Sequence, residues 1–125
     1  MHPSRLAGFA ALAMLAAPAM AHPRLLAATP TDGATASGVT QASLGFSEPL
    51  VAALSGIDLA MTGMPGMAHH APAKITGFST AVAADGKTLV ATFPRALPAG
   101  TYRLDWHAVA ADTHRVTGSL TFTVR

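Results

Sequence analysis

The chain has 125 residues, a formal net charge of +2 and no cysteine. This length predicts one domain, and the lack of cysteine means that its fold depends on a hydrophobic core and not on disulfides. The basic residues are scattered and form no stripe for nucleic acid, and the sequence has no nucleophile elbow, no Gly-rich phosphate loop and only one glutamate, which argues against a hydrolase.

The start of the chain has the pattern of a secretory signal peptide. A weakly basic start with Arg5 is followed by an apolar run over residues 6–17 and by a small-x-small cleavage signal that ends at Ala21. The apolar run is too short to span a membrane, and no second apolar segment follows it. We therefore predict a signal peptide over residues 1–21 and an exported domain without a membrane span over residues 22–125.

The exported domain alternates between apolar and polar residues in short stretches that turn residues separate. This alternation predicts strands over residues 24–28, 41–47, 56–61, 74–78, 81–84, 88–93, 101–107 and 116–124. Asp85-Gly86 is a strong signal for a hairpin turn, and no stretch has the 3.6-residue period of a capped helix. The sequence therefore predicts an all-β fold, a small antiparallel β-sandwich of about seven strands with immunoglobulin-like architecture.

The strand predicted over residues 101–107 has one apolar face and one polar face. Tyr102 and Trp106 fall on the apolar face, where core packing is the first interpretation. His107 shares the opposite face with Asp105. We expect a solvent-facing or hydrogen-bonded histidine there rather than a metal ligand.

Three methionines at every third position are followed by two histidines: Met61, Met64, Met67, His69 and His70. Gly63, Pro65 and Gly66 interrupt this stretch and are incompatible with a regular helix or a central strand, so we predict a surface loop. A thioether is a soft donor that selects Cu(I) and has no proton to lose. One methionine would be interpreted as filling a gap under the loop, but three at even spacing beside two histidines favour a Cu(I) site.

Cleavage after Ala21 would make His22 the first residue of the exported domain. An N-terminal histidine offers its α-amine and its imidazole Nδ1 to one metal, and the amine pKa of about 7.7–8.0 lets a metal displace the proton near neutrality. Because Pro23 has no N–H, copper cannot recruit a deprotonated amide at that position. Considered alone, His22 would be no more than the residue at which the protease cuts.

A second group of donors lies between the last two predicted strands. Asp112 and His114, two residues apart in a tight connection, can point at one centre, and Cu(II) prefers a tetragonal set of nitrogen and oxygen donors. For Asp112 alone, an Asx turn is the more common role. Glu48, the single glutamate, lies at a predicted strand end, where it adds a carboxylate to such a site or is simply solvated.

These motifs, in this order and spacing, resemble the CopC family of periplasmic copper-resistance proteins. The resemblance covers essentially all of the exported domain. Its elements are His22-Pro23, Thr29-Pro30-x-x-Gly33, Phe46-Ser47-Glu48, the Met61–His69 loop, Ala99-Gly100-Thr101-Tyr102-x-x-x-Trp106, Asp112-x-His114 and Thr117-Gly118-Ser119-x-Thr121-Phe122. The resemblance implies a barrel-like β-sandwich with Greek-key order that carries copper in the periplasm without catalysis.

The resemblance also implies two copper sites at opposite ends of the domain. The implied Cu(II) ligands are His22, Glu48, Asp112 and His114. The implied Cu(I) ligands are Met61, Met64, Met67 and His69. The chain departs from the family pattern at Pro72, where a further methionine is common, at the additional His70, and at His107, where an arginine often follows the tryptophan.

The implied function is copper binding and shuttling in copper resistance and homeostasis by a monomer that is not an enzyme. The expected partner is a CopD-like inner-membrane copper transport protein or a periplasmic multicopper oxidase. A copper monooxygenase with an N-terminal histidine brace is the alternative enzyme, which oxygen consumption with a reductant would identify. A structural exported β-sandwich module is the second alternative, and it would bind no stoichiometric copper.

Overall fold

The computed structural model describes Gly8 and residues 22–125. Apart from Gly8, the predicted signal peptide and its cleavage site therefore lie outside the described residues. The regular secondary structure of the described part is β-strand except for one short 3-10 turn, and the described residues contain no helix long and apolar enough to cross a membrane.

Nine strands follow one another along the described part of the chain. They are β1 Leu25–Thr29, β2 Thr35–Ala36, β3 Gln41–Phe46, β4 Gly56–Gly63, β5 Ala73–Lys74, β6 Ser79–Val82, β7 Thr88–Thr92, β8 Gly100–Val109 and β9 Arg115–Val124. The 3-10 turn is Ala52–Leu54, between β3 and β4. Only β2 and β5 have fewer than four residues. The other seven strands confirm the prediction of about seven.

The strands form two sheets packed around one core. The four-stranded sheet has the order β1-β3-β7-β6, and the five-stranded sheet has the order β2-β9-β8-β4-β5. All neighbouring strands are antiparallel except β2, which pairs in parallel with β9. The predicted all-β sandwich is confirmed, with the single parallel pair as a difference.

The core lies between the inner faces of the two sheets and follows the predicted alternation. Its inward-facing residues on β3, β8 and β9 are Ala42, Leu44, Phe46, Tyr102, Leu104, Trp106, Leu120, Phe122 and Val124. Tyr102 stacks on Phe122 with ring centroids 5.5 Å apart, and Phe46 meets Trp106 edge-on at 5.1 Å. Such aromatic pairs stabilise a core beyond the area that they bury, and they hold β8 firmly in the centre of its sheet.

β4 ends at Gly63, two residues beyond the strand predicted over residues 56–61, and it includes Met61, where the predicted strand and the predicted loop overlap. The pairing of β4 with β8 continues through a bulge to Gly63, which lies opposite Thr101. The turn-forming Pro65 comes only after this pairing has ended, so it does not interrupt the strand. The loop prediction is therefore wrong for Met61–Gly63 and correct from Met64 onwards.

Two of the weaker strand predictions are displaced. The strand predicted over residues 74–78 is only Ala73–Lys74, because Gly77 has a φ of 79°, outside the extended region, and redirects the chain to the other sheet. The next strand begins at Ser79, two residues earlier than predicted. The sequence gives no alternation strong enough to fix either boundary.

The hairpin turn predicted at Asp85-Gly86 joins β6 to β7 as expected. Asp85 accepts hydrogen bonds from the Lys87 N–H at 2.8 Å and from the Thr88 N–H and hydroxyl at 3.0 and 2.6 Å. The Thr88 hydroxyl and then the Lys87 N–H lower the pKa of Asp85 below its ordinary value of 3.8. A lowered pKa means that these bonds stabilise the fold above about pH 3.8.

We expect Asp85→Ala to lower the thermal unfolding midpoint at neutral pH, because the ionised carboxylate organises the turn. The difference from the wild type should shrink as the pH falls through the lowered pKa of Asp85, where the wild-type carboxylate is itself protonated. Circular dichroism melts of both proteins, at neutral pH and at a pH below the lowered pKa of Asp85, measure this difference. A destabilisation of equal size at both would show that the carboxylate charge is irrelevant to the turn.

Candidate metal centres

β8 separates the two regions that the sequence singles out as metal sites. The start of β8 lies against residues 61–70, here called the methionine segment, since Thr101 pairs with Gly63. Its end leads through Ala110 into the turn that carries Asp112. A strand of ten residues spans about 30 Å, so the two regions lie at opposite ends of the sandwich.

His22 is positioned by the residues that follow it. Pro23 is fully buried. The N–H of Arg24 donates to the Ser47 hydroxyl at 2.9 Å, and the carbonyl of Arg24 accepts from the Ser47 N–H at 2.9 Å. This exchange extends the β1–β3 ladder by one residue beyond Leu25, and it fixes where the chain leaves the sandwich at His22.

Asp112 and His114 lie in the tight turn between β8 and β9. Thr113 has a φ of 66°, a left-handed conformation that is uncommon for residues other than glycine, and its N–H donates to the Ala110 carbonyl at 2.9 Å. The Oδ1 of Asp112 accepts from the His114 N–H at 3.1 Å. This is the expected Asx turn, and it leaves Oδ2 of the same carboxylate free to face other groups.

Two imidazoles converge on that Oδ2 atom. The Nδ1 of His22 lies 3.1 Å from it and the Nδ1 of His114 lies 3.2 Å from it. The two rings are 4.9 Å apart between centroids. Among the described residues, His22, Asp112 and His114 are the one group of three or more His, Cys, Asp or Glu side chains whose ligand atoms lie within 4.8 Å of one another.

The carboxylate at the centre of this cluster is ionised at neutral pH. Burial alone would raise the pKa of Asp112, but hydrogen bonds from the backbone and side chain of His114, with the charges of His114 and His22, lower it below the ordinary 3.8. The stabilisation that these contacts give is present above about pH 3.8 and is lost as the pH falls through the lowered pKa. A ready carboxylate is what a metal ligand requires.

The donor set fits a first-row divalent metal. Nitrogen and oxygen ligands of such an ion lie about 2.0–2.2 Å from it, so two ligands on opposite sides are about 4 Å apart, close to the spread of this cluster. The Nδ1 atom of His22 is buried and has no hydrogen bond to any described residue, because Asp112 lies outside hydrogen-bond geometry for it. An orphaned imidazole nitrogen facing a carboxylate and a second imidazole can accept a metal without breaking a bond.

Glu48 is near this end of the sandwich but outside the cluster. Leu50 bridges Ala110 in antiparallel register, which brings the segment that contains Glu48 beside the turn that contains Asp112. Glu48 does not belong to the group of residues whose ligand atoms all lie within 4.8 Å of one another. Pro49 follows Glu48 directly and limits how far this segment can pair.

The methionine segment forms a two-residue hairpin at the other end. Met64 and Met67 exchange two backbone hydrogen bonds of 2.8 and 2.9 Å around Pro65 and Gly66. Gly66 has a φ of 81°, which a type II turn requires at this position and which favours glycine. Met64 and Met67 are 45% and 53% exposed as residues, so a soft metal can approach both side chains.

The remaining predicted ligands of this segment have different environments. Met61 lies on the inner face of β4, half-buried, and packs against the core with its side chain close to Gly100. His69 is exposed, and His70 is partly buried. The structure thus brings these residues to one end of the sandwich, and it leaves Met61 inside and Met64 and Met67 outside.

His107 and Trp106 occupy the positions that the alternation predicts. Trp106 is buried at 8% exposure, and its ring covers Gly118 on the neighbouring strand. His107 lies on the outer face of the five-stranded sheet, with its imidazole over Gly56. It belongs to neither candidate centre.

The chain is similar to a known protein family and to solved structures of copper resistance proteins. A family model described as the CopC domain matches residues 25–125. A curated relative from Pseudomonas syringae pv. tomato, named Copper resistance protein C, is 44% identical over 117 residues, which cover 94% of this chain and 91% of that protein. The crystal structure of PcoC, a methionine-rich copper resistance protein from Escherichia coli, is 42% identical with a TM-score of 0.76, over 84% of this chain and 100% of that one. The crystal structure of CopC from Methylosinus trichosporium OB3b, at 24% identity and a TM-score of 0.66 over 82% of this chain and 93% of that one, shares the fold.

Proposed function

Because the chain belongs to the CopC family, we propose that it is a copper-binding protein of copper resistance and homeostasis that carries copper in the periplasm and catalyses no reaction. The names of its relatives support copper as the metal. The predicted signal peptide supports export.

The observation that carries this proposal is the convergence of His22, Asp112 and His114 within 4.8 Å. Two imidazoles and an ionised carboxylate are donors that Cu(II) prefers. After cleavage, the α-amine of His22 would add a third nitrogen. Glu48, in the neighbouring segment, is the proposed source of a further carboxylate.

The methionine segment is the proposed Cu(I) site. Met64 and Met67 are exposed residues of a tight hairpin, and Met61 lies at the base of the same hairpin. Thioethers keep Cu(I) without a proton to displace. A histidine of the same segment completes the proposed donor set, with His69 as the ligand that the family pattern implies.

Two sites about 30 Å apart suit a carrier that handles copper in both oxidation states. The proposed recipients are a CopD-like inner-membrane copper transport protein and a periplasmic multicopper oxidase. The exposure of Met64 and Met67 supports transfer of Cu(I) at the hairpin, because a partner's sulfur or imidazole donors can approach them directly.

The test is titration of the protein that begins at His22 with Cu(II) under air and with Cu(I) under anaerobic reducing conditions. We expect one equivalent of each to bind, and no oxygen consumption when a reductant is added. Binding of neither ion would refute the proposal in favour of a structural module. Catalytic oxygen consumption would favour the histidine-brace monooxygenase.

We expect His114→Ala to weaken Cu(II) binding at least about tenfold, since loss of a ligand should cost no less than loss of a residue that only orients one. Cu(I) binding should stay close to the wild type, because the sites are far apart and act independently. His107→Ala is the matched control, since it removes an imidazole from the outer sheet face. Equal loss of Cu(I) and Cu(II) binding in His114→Ala would contradict the two-site arrangement.

A further inference from the structure

The backbone of His70 is fixed against β4. Its N–H donates to the carbonyl of Thr62 at 2.9 Å, so His70 lies beside the strand residue that follows Met61. Gly63, the next strand residue, is approached so closely by Ala68 that a Cβ added there would meet the Ala68 carbonyl oxygen at 2.2 Å. The segment after the Met64–Met67 hairpin is therefore folded back onto β4, and His70 has a defined place in it.

The imidazole of His70 has a defined tautomer in its uncharged form. Its Nδ1 lies 2.7 Å from the carbonyl oxygen of Ala71. A carbonyl oxygen only accepts hydrogen bonds, so Nδ1 must carry the proton and donate. The lone pair of the uncharged ring is then on Nε2. This is the arrangement common in metal-binding histidines, where one nitrogen is hydrogen-bonded to a backbone carbonyl and the other binds the ion.

The Nε2 atom of His70 is buried and has no hydrogen-bond partner among the described residues. A buried lone pair without a partner is unfavourable, and a hydrogen-bond donor or a metal ion that binds this lone pair removes that penalty. His69, by contrast, is exposed, and water satisfies its ring without loss. The structure thus distinguishes two adjacent histidines that the sequence spacing alone treats alike.

We propose that His70 supplies the imidazole of the Cu(I) site, binding through Nε2, in place of the His69 that the family pattern implies. This inference rests on the proposed Cu(I) function of the methionine segment. The hydrogen bond to Ala71 orients the ring and sets the tautomer, and the bond to Thr62 holds the residue next to the strand that carries Met61. His69 stays in solvent and contributes little to affinity.

The first test is NMR of the imidazole nitrogens of the copper-free and Cu(I)-bound protein, which needs no substitution. In the copper-free protein the uncharged ring of His70 should be protonated on Nδ1 and not on Nε2. One equivalent of Cu(I), which is diamagnetic, should shift the His70 Nε2 resonance and leave both His69 nitrogens nearly unchanged. A shift confined to His69, or an uncharged His70 ring that carries its proton on Nε2 in the copper-free protein, would overturn the assignment.

The second test is a Cu(I) competition titration of His70→Ala, with His69→Ala as the matched control. We expect His70→Ala to lose about tenfold in affinity, and His69→Ala to stay within about twofold of the wild type. Wild-type affinity in His70→Ala would refute the role of His70 and leave the Cu(I) site intact. A wild-type protein that binds no Cu(I) would instead refute the proposed function itself, so the two failures can be told apart.

Discussion

One residue added before His22 should lower the Cu(II) affinity of the protein by about 100-fold, which is about 2.7 kcal/mol at 25 °C. The extra residue converts the α-amine into an amide, whose nitrogen lone pair is delocalised and no longer available near neutral pH. The α-amine and Nδ1 of His22 can then no longer chelate one ion together. The imidazole itself remains, with its Nδ1 3.1 Å from the Asp112 carboxylate. Because Pro23 has no N–H, no neighbouring backbone nitrogen replaces the lost donor.

The matched control is one residue added after Arg125, which changes the length equally and leaves His22 free. Isothermal titration calorimetry of the protein that begins at His22 and of the two extended proteins measures the change in Cu(II) affinity. Cu(I) affinity should be the same in all three, because the methionine segment lies at the other end of β8. Equal Cu(II) affinity of the original and the N-terminally extended protein would show that the amine is not a ligand.

The fold was largely predictable because the core residues repeat with period two. The buried positions alternate along β8 as far as Ala108 and along β9 from Leu120 to Val124, and each predicted strand there appears within two residues of its observed bounds. β2 was not predictable in this way. It has two residues, and it is held by contacts distant in sequence, such as the Arg125 N–H that donates to the Ala36 carbonyl at 3.0 Å.

The candidate centres were predictable to the extent that they are local. Asp112 and His114 are two residues apart, so the spacing alone indicates that they face one another. The meeting of His22 with them depends on a backbone exchange between Arg24 and Ser47, which no local pattern reveals. The difference between the two loop histidines depends on one hydrogen bond to the Ala71 carbonyl, and spacing carries no information about it.

Gly63→Ala should disturb the methionine segment more than removal of any one of its donors. A Cβ at this position would lie 2.2 Å from the carbonyl oxygen and 2.9 Å from the carbonyl carbon of Ala68. These are backbone atoms, which cannot rotate away, so the segment that carries Met64 and Met67 must move off β4. Overpacking of this kind typically costs about 1–3 kcal/mol. We expect a thermal midpoint lower by several degrees, since about 1 kcal/mol shifts a domain of this size by roughly 4–8 °C.

The displaced segment should also lose about 30-fold in Cu(I) affinity, equivalent to about 2 kcal/mol, because its donors no longer share one arrangement. Gly45→Ala is the matched control, since a Cβ there would make only ordinary contacts of 3.8 Å with Ala27. Cu(II) affinity should be unchanged in both variants, because the cluster around Asp112 is about 30 Å away along β8. Unaltered Cu(I) affinity in Gly63→Ala, despite a lowered melting temperature, would mean that the methionines bind copper from a flexible chain and that the close approach of Ala68 to β4 serves stability alone.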